Sequence, residues 1–230
     1  MHLENIRFIL TDIEGTTTSV SFVYESLFPY FRTNIAKLKK MESDASVQAA
    51  FLDVVKLAAE EGKNLNSTDE IIQQLEEWSR ADKKITPLKE LQGLLWKEGY
   101  VSGELKGHVY SDVAPALKEW KLKGIDLGVF SSGSIAAQKL IFGYSEAGDL
   151  TAYLTAYFDT TTGGKRAIET YVLIAKELAL NPQQILFLSD IKEELEAAEN
   201  AGYQTIQLVR PGTEANWKQT VSSFNEIKIN

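Results

Sequence analysis

Arg7 to Thr18, RFILTDIEGTTT, is the stretch on which the reading of the chain turns. An apolar run, Ile6, Phe8, Ile9 and Leu10, is cut off by Asp12, and Glu14, Gly15 and three threonines follow at once. Such a run predicts a buried strand that releases Asp12 at its carboxyl edge. Ligands of open α/β sheets bind in the crevice outside those carboxyl edges, so an acid there is placed for chemistry. A structural motive for it is weak, because two carboxylates two residues apart repel and are costly to bury.

The chain after this strand is helical. Val23, Leu27, Phe28, Phe31, Ile35 and Leu38 recur at helical spacing, with Pro29 predicting a kink or a broken start. Three further amphipathic patterns follow: Val47, Phe51, Val54 and Leu57; Ile71, Ile72, Leu75 and Trp78; Leu88, Leu91, Leu94 and Leu95. Ser67 to Glu70 reads as a capping box and Thr86-Pro87 as an N-cap followed by proline at the first helical position. Gly62 and Gly99 are the expected stops. Residues 20–105 are therefore expected to form a helical domain inserted after the first strand, with 1–19 and 106–230 forming the rest.

From Ser111 the pattern alternates. Ser111 or Asp112 is expected to cap a helix carrying Val113, Leu117 and Trp120, and Ile125 to Phe130 forms a second strand that stops at Ser131 and Ser132. A helix through Ala136, Leu140 and Phe142 precedes a short apolar stretch ending at Tyr157-Phe158-Asp159. Gly163-Gly164-Lys165 is expected to open another helix, with Ile168, Val172, Ala175 and Leu178 on its inner face. Ile185 to Leu188 is a strong strand that delivers Ser189 and Asp190; a helix over Lys192 to Ala201 and a strand over Thr205 to Val209 complete the pattern. Strands alternating with helices predict an α/β fold with a mostly parallel sheet and helices on both faces.

Composition removes several function classes. The 230 residues carry 24 basic against 32 acidic side chains, net −8, and no basic segment is long enough to follow a nucleic-acid backbone. There is no cysteine, which rules out disulfides, thiolate nucleophiles and cysteine-bound zinc. The N-terminus lacks the pattern of a secretory signal, and no run of about 18 apolar residues occurs. The expectation is a cytoplasmic monomer with neither nucleic-acid nor membrane partners.

Several strand and helix ends present polar groups of one kind: Asp12 with Glu14, Ser131 with Ser132, Lys165, and Asp190 with Glu193 and Glu194. Some have ordinary explanations, since Asp190 with Glu193 fits a capping box and Ser132 or Ser134 fits an N-cap. Lys165 at a helix N-terminus, however, opposes the macrodipole, and an anion there would offset the cost. Asp12 and Asp190 on neighbouring strands would repel unless a hard divalent cation with oxygen ligands, most simply Mg²⁺, lay between them. Acid, metal, hydroxyl and lysine around a phosphoryl group suit phosphoryl transfer to an aspartate.

DIEGTTT, FSSGS, GGKRAIETY and LFLSDIKEE, in this order, resemble the four motifs of the haloacid dehalogenase superfamily of aspartate-nucleophile phosphatases, and the helical insertion is similar to that superfamily's cap domain. Glu14 stands where most such phosphatases carry aspartate. With LFPYF, LKELQGLLW and SSGSIAAQKLIFGYS, that departure resembles the enolase-phosphatase family of methionine salvage. The resemblance implies a haloacid-dehalogenase-like Rossmannoid core with a helical cap. It further implies Asp12 as nucleophile and Glu14 as the group that gives and takes the proton. Ser131, Ser132 and Lys165 would hold the phosphate, and one Mg²⁺ would be bound by Asp12, the Glu14 carbonyl and Asp190. Glu194 would lie behind these and orient a metal-bound water. The implied substrate is 2,3-diketo-5-methylthiopentyl 1-phosphate, enolised and then dephosphorylated to the acireductone; another small phosphate ester is the alternative. The enolisation base stays open between Glu14 and a cap side chain, and His108 is read as structural. A phosphoacceptor signalling domain is the rival of a different class, but it would lack both the insertion and Glu14.

Overall fold

The computed structural model describes Leu3 and residues 5–229. The chain divides into two compact units, one made of residues 23–105 and the other of the segments before and after it.

The two-segment unit is an α/β domain with a six-stranded sheet of order β3-β2-β1-β4-β5-β6. Its strands are β1 (Phe8–Thr11), β2 (Asp126–Phe130), β3 (Ala156–Phe158), β4 (Ile185–Ser189), β5 (Gln204–Leu208) and β6 (Thr220–Val221), and every pairing is parallel. β1 is buried throughout, as a strand covered on both faces must be, which explains why its residues read as a continuous apolar run. Thr11 is level with Val129 of β2 and with Leu188 of β4. Asp12 therefore leaves the sheet beside Phe130 and Ser189, and its amide donates to the Leu188 carbonyl at 2.8 Å.

Helices α1 (Val20–Phe22), α6 (Val113–Leu122), α7 (Ile135–Gly143), α8 (Ile168–Glu177) and α9 (Lys192–Asn200) belong to the same unit. Phe8, Leu10, Phe130, Phe158, Tyr171, Ile174, Phe187 and Leu195 form one core cluster of the α/β unit. Each such fully buried side chain contributes roughly 1.5–3 kcal/mol. The inner face of α8 differs from expectation: Thr170, Tyr171, Ile174 and Ala175 are buried, whereas Ile168 and Val172 are exposed. Tyr171 sets this rotation by packing edge-on against Phe130, Phe187 and Tyr203. Helix α8 also starts at Ile168, so Lys165 lies in the turn before it and not at its first residue. Asp112 stands at the N-cap of α6 but its side chain makes no cap bond, because it is engaged by Arg210.

The helical unit contains α2 (Phe28–Asn34), α3 (Ala45–Glu60), α4 (Thr68–Arg80) and α5 (Thr86–Ser102). Its core joins Phe31, Leu38, Val54, Leu75, Trp78, Leu91 and Leu95. Pro29 sits in the first turn of α2, where its missing N–H costs nothing, after a π turn over Val23–Leu27. Ser67 and Glu70 form the reciprocal capping box of α4. Thr86 lies inside α5, whose N-cap is Ile85, so the expected threonine cap is absent. Gly99 does not stop α5; it admits the Tyr30 ring, whose Cζ would lie 2.6 Å from an added Cβ, and Gly103 in the left-handed region ends the helix. Among the described residues no helix is long and apolar enough to cross a membrane.

Candidate active site

Asp12 is buried at the carboxyl end of β1, and its Oδ1 accepts from the Ile13 amide at 2.7 Å. The same oxygen lies 2.6 Å from Lys165 Nζ. That ammonium is also 2.7 Å from Glu194 Oε2, with only 10% of each of the two side chains exposed. Burial alone would lower the Lys165 pKa, but the Asp12 and Glu194 carboxylates outweigh it and hold the ammonium more firmly protonated than usual. The charge of Lys165 is thus explained by two carboxylates, a stronger reason than opposition to a helix dipole.

Glu194 is driven upward by burial and by the charge of Asp12, against the pull of Lys165 and of Ser189. Ser189 Oγ donates to Glu194 Oε2 at 2.9 Å and accepts from the Ile191 amide at 3.1 Å. This serine was visible in the sequence at the end of β4, but nothing there tied it to Glu194; only the first turn of α9 brings the two together. Glu193, its neighbour, is exposed and stands apart from the cluster. No capping box forms with Asp190, since the N-cap of α9 is Ile191.

Asp190 is pushed up to about 7 by burial first and then by the negative charge of Asp12, with Glu14 adding to it. Its Oδ1 is buried and has no hydrogen-bond partner. Glu14 is half-buried, and Gly15 beside it adopts φ +70°. A Cβ on Gly15 would fall 2.3 Å from Asp190 Oδ2, so the loop is cut to fit against that carboxylate. Gly15→Ala is expected to cost about 1–2 kcal/mol for the left-handed backbone alone and to push Asp190 aside. An unchanged urea midpoint in that variant would contradict this.

These features suit a hard cation. Among the described residues no three His, Asp or Glu side chains are grouped as a complete metal cage. The carboxylates of Asp12 and Asp190, the latter with an orphaned buried oxygen, are a sparse donor set of the kind Mg²⁺ accepts, because it keeps several of its waters.

Ser131 is buried just past β2, and its Oγ accepts from the Gly133 amide at 3.1 Å. Ser132 is half-buried. Ser134 is the actual N-cap of α7, accepting from the Ala137 amide, which leaves Ser131 and Ser132 outside the capping role. The structure brings Asp12, Lys165 and Glu194 into direct contact and sets Asp190 against their loop, while Ser131 lies at the neighbouring strand end. Nothing local in the sequence assigns Tyr171 a part in the site, yet its hydroxyl donates to the Lys165 carbonyl at 2.6 Å and fixes the turn that carries the lysine. Thr17 and His108 brace the loop that follows Asp12, through Thr17 Oγ1 to the Ile13 carbonyl at 3.3 Å and the Ser19 amide to His108 Nδ1 at 3.1 Å.

A model of the haloacid dehalogenase-like hydrolases matches residues 6–202. An "Enolase-phosphatase E1" of Picosynechococcus sp. is 52% identical, covering 96% of this chain and 98% of its own. One from Pseudomonas aeruginosa is 48% identical, covering 97% and 99%. Among solved structures, the "Unknown transcript 4 protein" of Saccharomyces cerevisiae superposes with a TM-score of 0.81 at 31% identity, covering 97% of this chain and 100% of that one.

Proposed function

The chain belongs to the haloacid dehalogenase-like hydrolases, in the enolase-phosphatase family, and from that premise we infer the chemistry its residues perform. It is a phosphatase that acts on a small phosphate ester. The substrate assigned is 2,3-diketo-5-methylthiopentyl 1-phosphate, which is enolised and then dephosphorylated to the acireductone 1,2-dihydroxy-3-keto-5-methylthiopentene. The observation that carries this reading is the Asp12–Lys165 contact at 2.6 Å at the carboxyl end of β1.

With Oδ1 held by the Ile13 amide and by Lys165, Oδ2 is the oxygen that attacks phosphorus in line. The bond from phosphorus to the C1 oxygen breaks, and Glu14 gives that oxygen a proton. Water then attacks the aspartyl phosphate, Glu14 takes its proton back, and phosphate leaves. Lys165 with the Ser131 and Ser132 hydroxyls holds the phosphate oxygens. Asp12, Asp190 and the Glu14 carbonyl are the groups that would hold Mg²⁺, which when bound supplies positive charge to the phosphoryl oxygens and to the crowded carboxylates. Glu194 sets the place of Lys165 through its own contact at 2.7 Å and orients a water. Residues 23–105 are taken as the cap domain and the segments before and after them as the catalytic domain.

An anaerobic assay on the diketo phosphate that follows enediol absorbance and free phosphate together tests the assignment. Both signals are expected to rise with Mg²⁺ present. Phosphate release from simple esters with no enediol formed from the diketo phosphate would favour a phosphatase for another small ester.

A further inference from the structure

Arg210 lies just beyond β5, and only 5% of its side chain is exposed. A buried guanidinium needs a reason, because an ion pair removed from water is commonly no more stabilising than apolar side chains of the same volume. What it offers over them is direction, since its planar fork can meet several acceptors at fixed angles. Nη1 donates to Asp112 Oδ1 at 3.1 Å and to the Ser222 carbonyl at 3.0 Å. Nη2 lies 2.9 Å from Asp112 Oδ2, and Nε donates to the Thr16 carbonyl at 3.0 Å. The guanidinium is stacked 4.2 Å from the Tyr110 ring, with the Phe224 ring at 5.4 Å. Asp112 is anchored in turn, accepting from the Ser223 hydroxyl at 3.0 Å and from the Phe224 amide at 2.6 Å.

Thr16 gives the assembly its consequence. It is fully buried in the turn that follows Asp12 and Glu14, where the amides of Thr16, Thr17 and Thr18 all donate to the Ile13 carbonyl. One residue earlier, Gly15 leaves no room for a Cβ against Asp190. A shift of the Thr16 carbonyl would therefore carry Gly15 toward or away from Asp190. We propose that Arg210, held in place by Asp112, is a positioning residue that fixes the nucleophile loop through the Thr16 carbonyl and so sets the spacing of Asp12 and Asp190. The proposal rests on Asp12 being the nucleophile.

Two variants test it, Arg210→Lys and the double substitution of Arg210→Met with Asp112→Leu. The lysine keeps the cation beside Asp112, but its single ammonium on a flexible stem cannot meet both that carboxylate and the Thr16 carbonyl in the same geometry. The double variant removes the charge pair as a unit and leaves no buried ion unpaired. Each is assayed for kcat and KM on the diketo phosphate, for thermal midpoint, and for amide hydrogen exchange over residues 13–18 and over β4.

The expected result is kcat lower by about 10–100-fold with KM within about threefold, because misplacing reacting groups by an ångström is enough for such a loss. Exchange should quicken in residues 13–18 and stay unchanged in β4. A folded Arg210→Lys protein with kcat within about twofold of wild type, or with exchange rising equally in β4, would overturn the proposal. Should the double variant fail to fold, Arg210→Lys decides the matter alone. Wild-type protein inactive on the diketo phosphate would sink the functional reading, and the exchange measurement would then decide whether Arg210 holds the loop.

Discussion

Asp12→Asn is expected to lower phosphate release by on the order of 10³-fold or more, since an amide cannot replace a carboxylate as nucleophile. Folding should survive the change. Breaking a buried ion pair usually costs a few kcal/mol because one charge is left alone, but here Lys165 keeps Glu194 at 2.7 Å. The substitution also relieves Asp190 and Glu194, both of which the charge of Asp12 pushes toward their neutral forms. The opposing effects leave the thermal midpoint within about 8 °C of wild type, equivalent to a net change of about 2 kcal/mol or less. Rapid-quench labelling checks the mechanism directly: wild type should accumulate an acid-stable, hydroxylamine-sensitive phosphoenzyme, and the variant none. Full activity in Asp12→Asn would remove the aspartyl phosphate from the mechanism.

Asp190→Asn should separate activity from stability. Ionised Asp190 is only partly offset, by the Lys165 charge and a backbone amide, with its Oδ1 buried and unbonded and its pKa pushed up to about 7 by burial and Asp12. In the unfolded chain the group titrates near 3.9, so the folded state binds this proton more tightly. The penalty is absent below about pH 4, grows as pH rises, and is complete above about pH 7. Without metal, the asparagine variant should exceed wild type by about 2–4 kcal/mol at pH 8, allowing for solvent screening, and by nearly nothing at pH 4. Adding MgCl₂ at pH 8 should stabilise wild type and leave the variant almost unmoved. Phosphate release should fall by at least about 10²-fold. Urea titrations in chelator at the two pH values check the sign; equal differences at both would show that burial of Asp190 carries no such cost.

The fold was legible where a single residue pattern has one physical solution. The unbroken apolar strand of β1 and that of β4 demand burial on both faces, and helices alternating with them supply it. Helix boundaries were less legible because propensity is a local quantity. Gly99 reads locally as a stop, but its bare backbone makes room for Tyr30, and one aromatic residue, Tyr171, rotates the face of α8. The short strand β6 carried no signal, being two residues long at the sheet edge.

The candidate site divides in the same way. Sequence alone determined which acids and hydroxyls arrive at strand ends, because strand termination by a polar residue is a local event that one stretch such as RFILTDIEGTTT displays in full. Which of them meet was decided only by the tertiary structure. Lys165 bridges Asp12 and Glu194, Ser189 reaches back to Glu194, and Arg210 holds Thr16 across 194 positions of chain. Each of these contacts depends on side-chain direction and burial at separate strand ends. Periodicity records which face a residue occupies, but it contains nothing about the partner that face will meet.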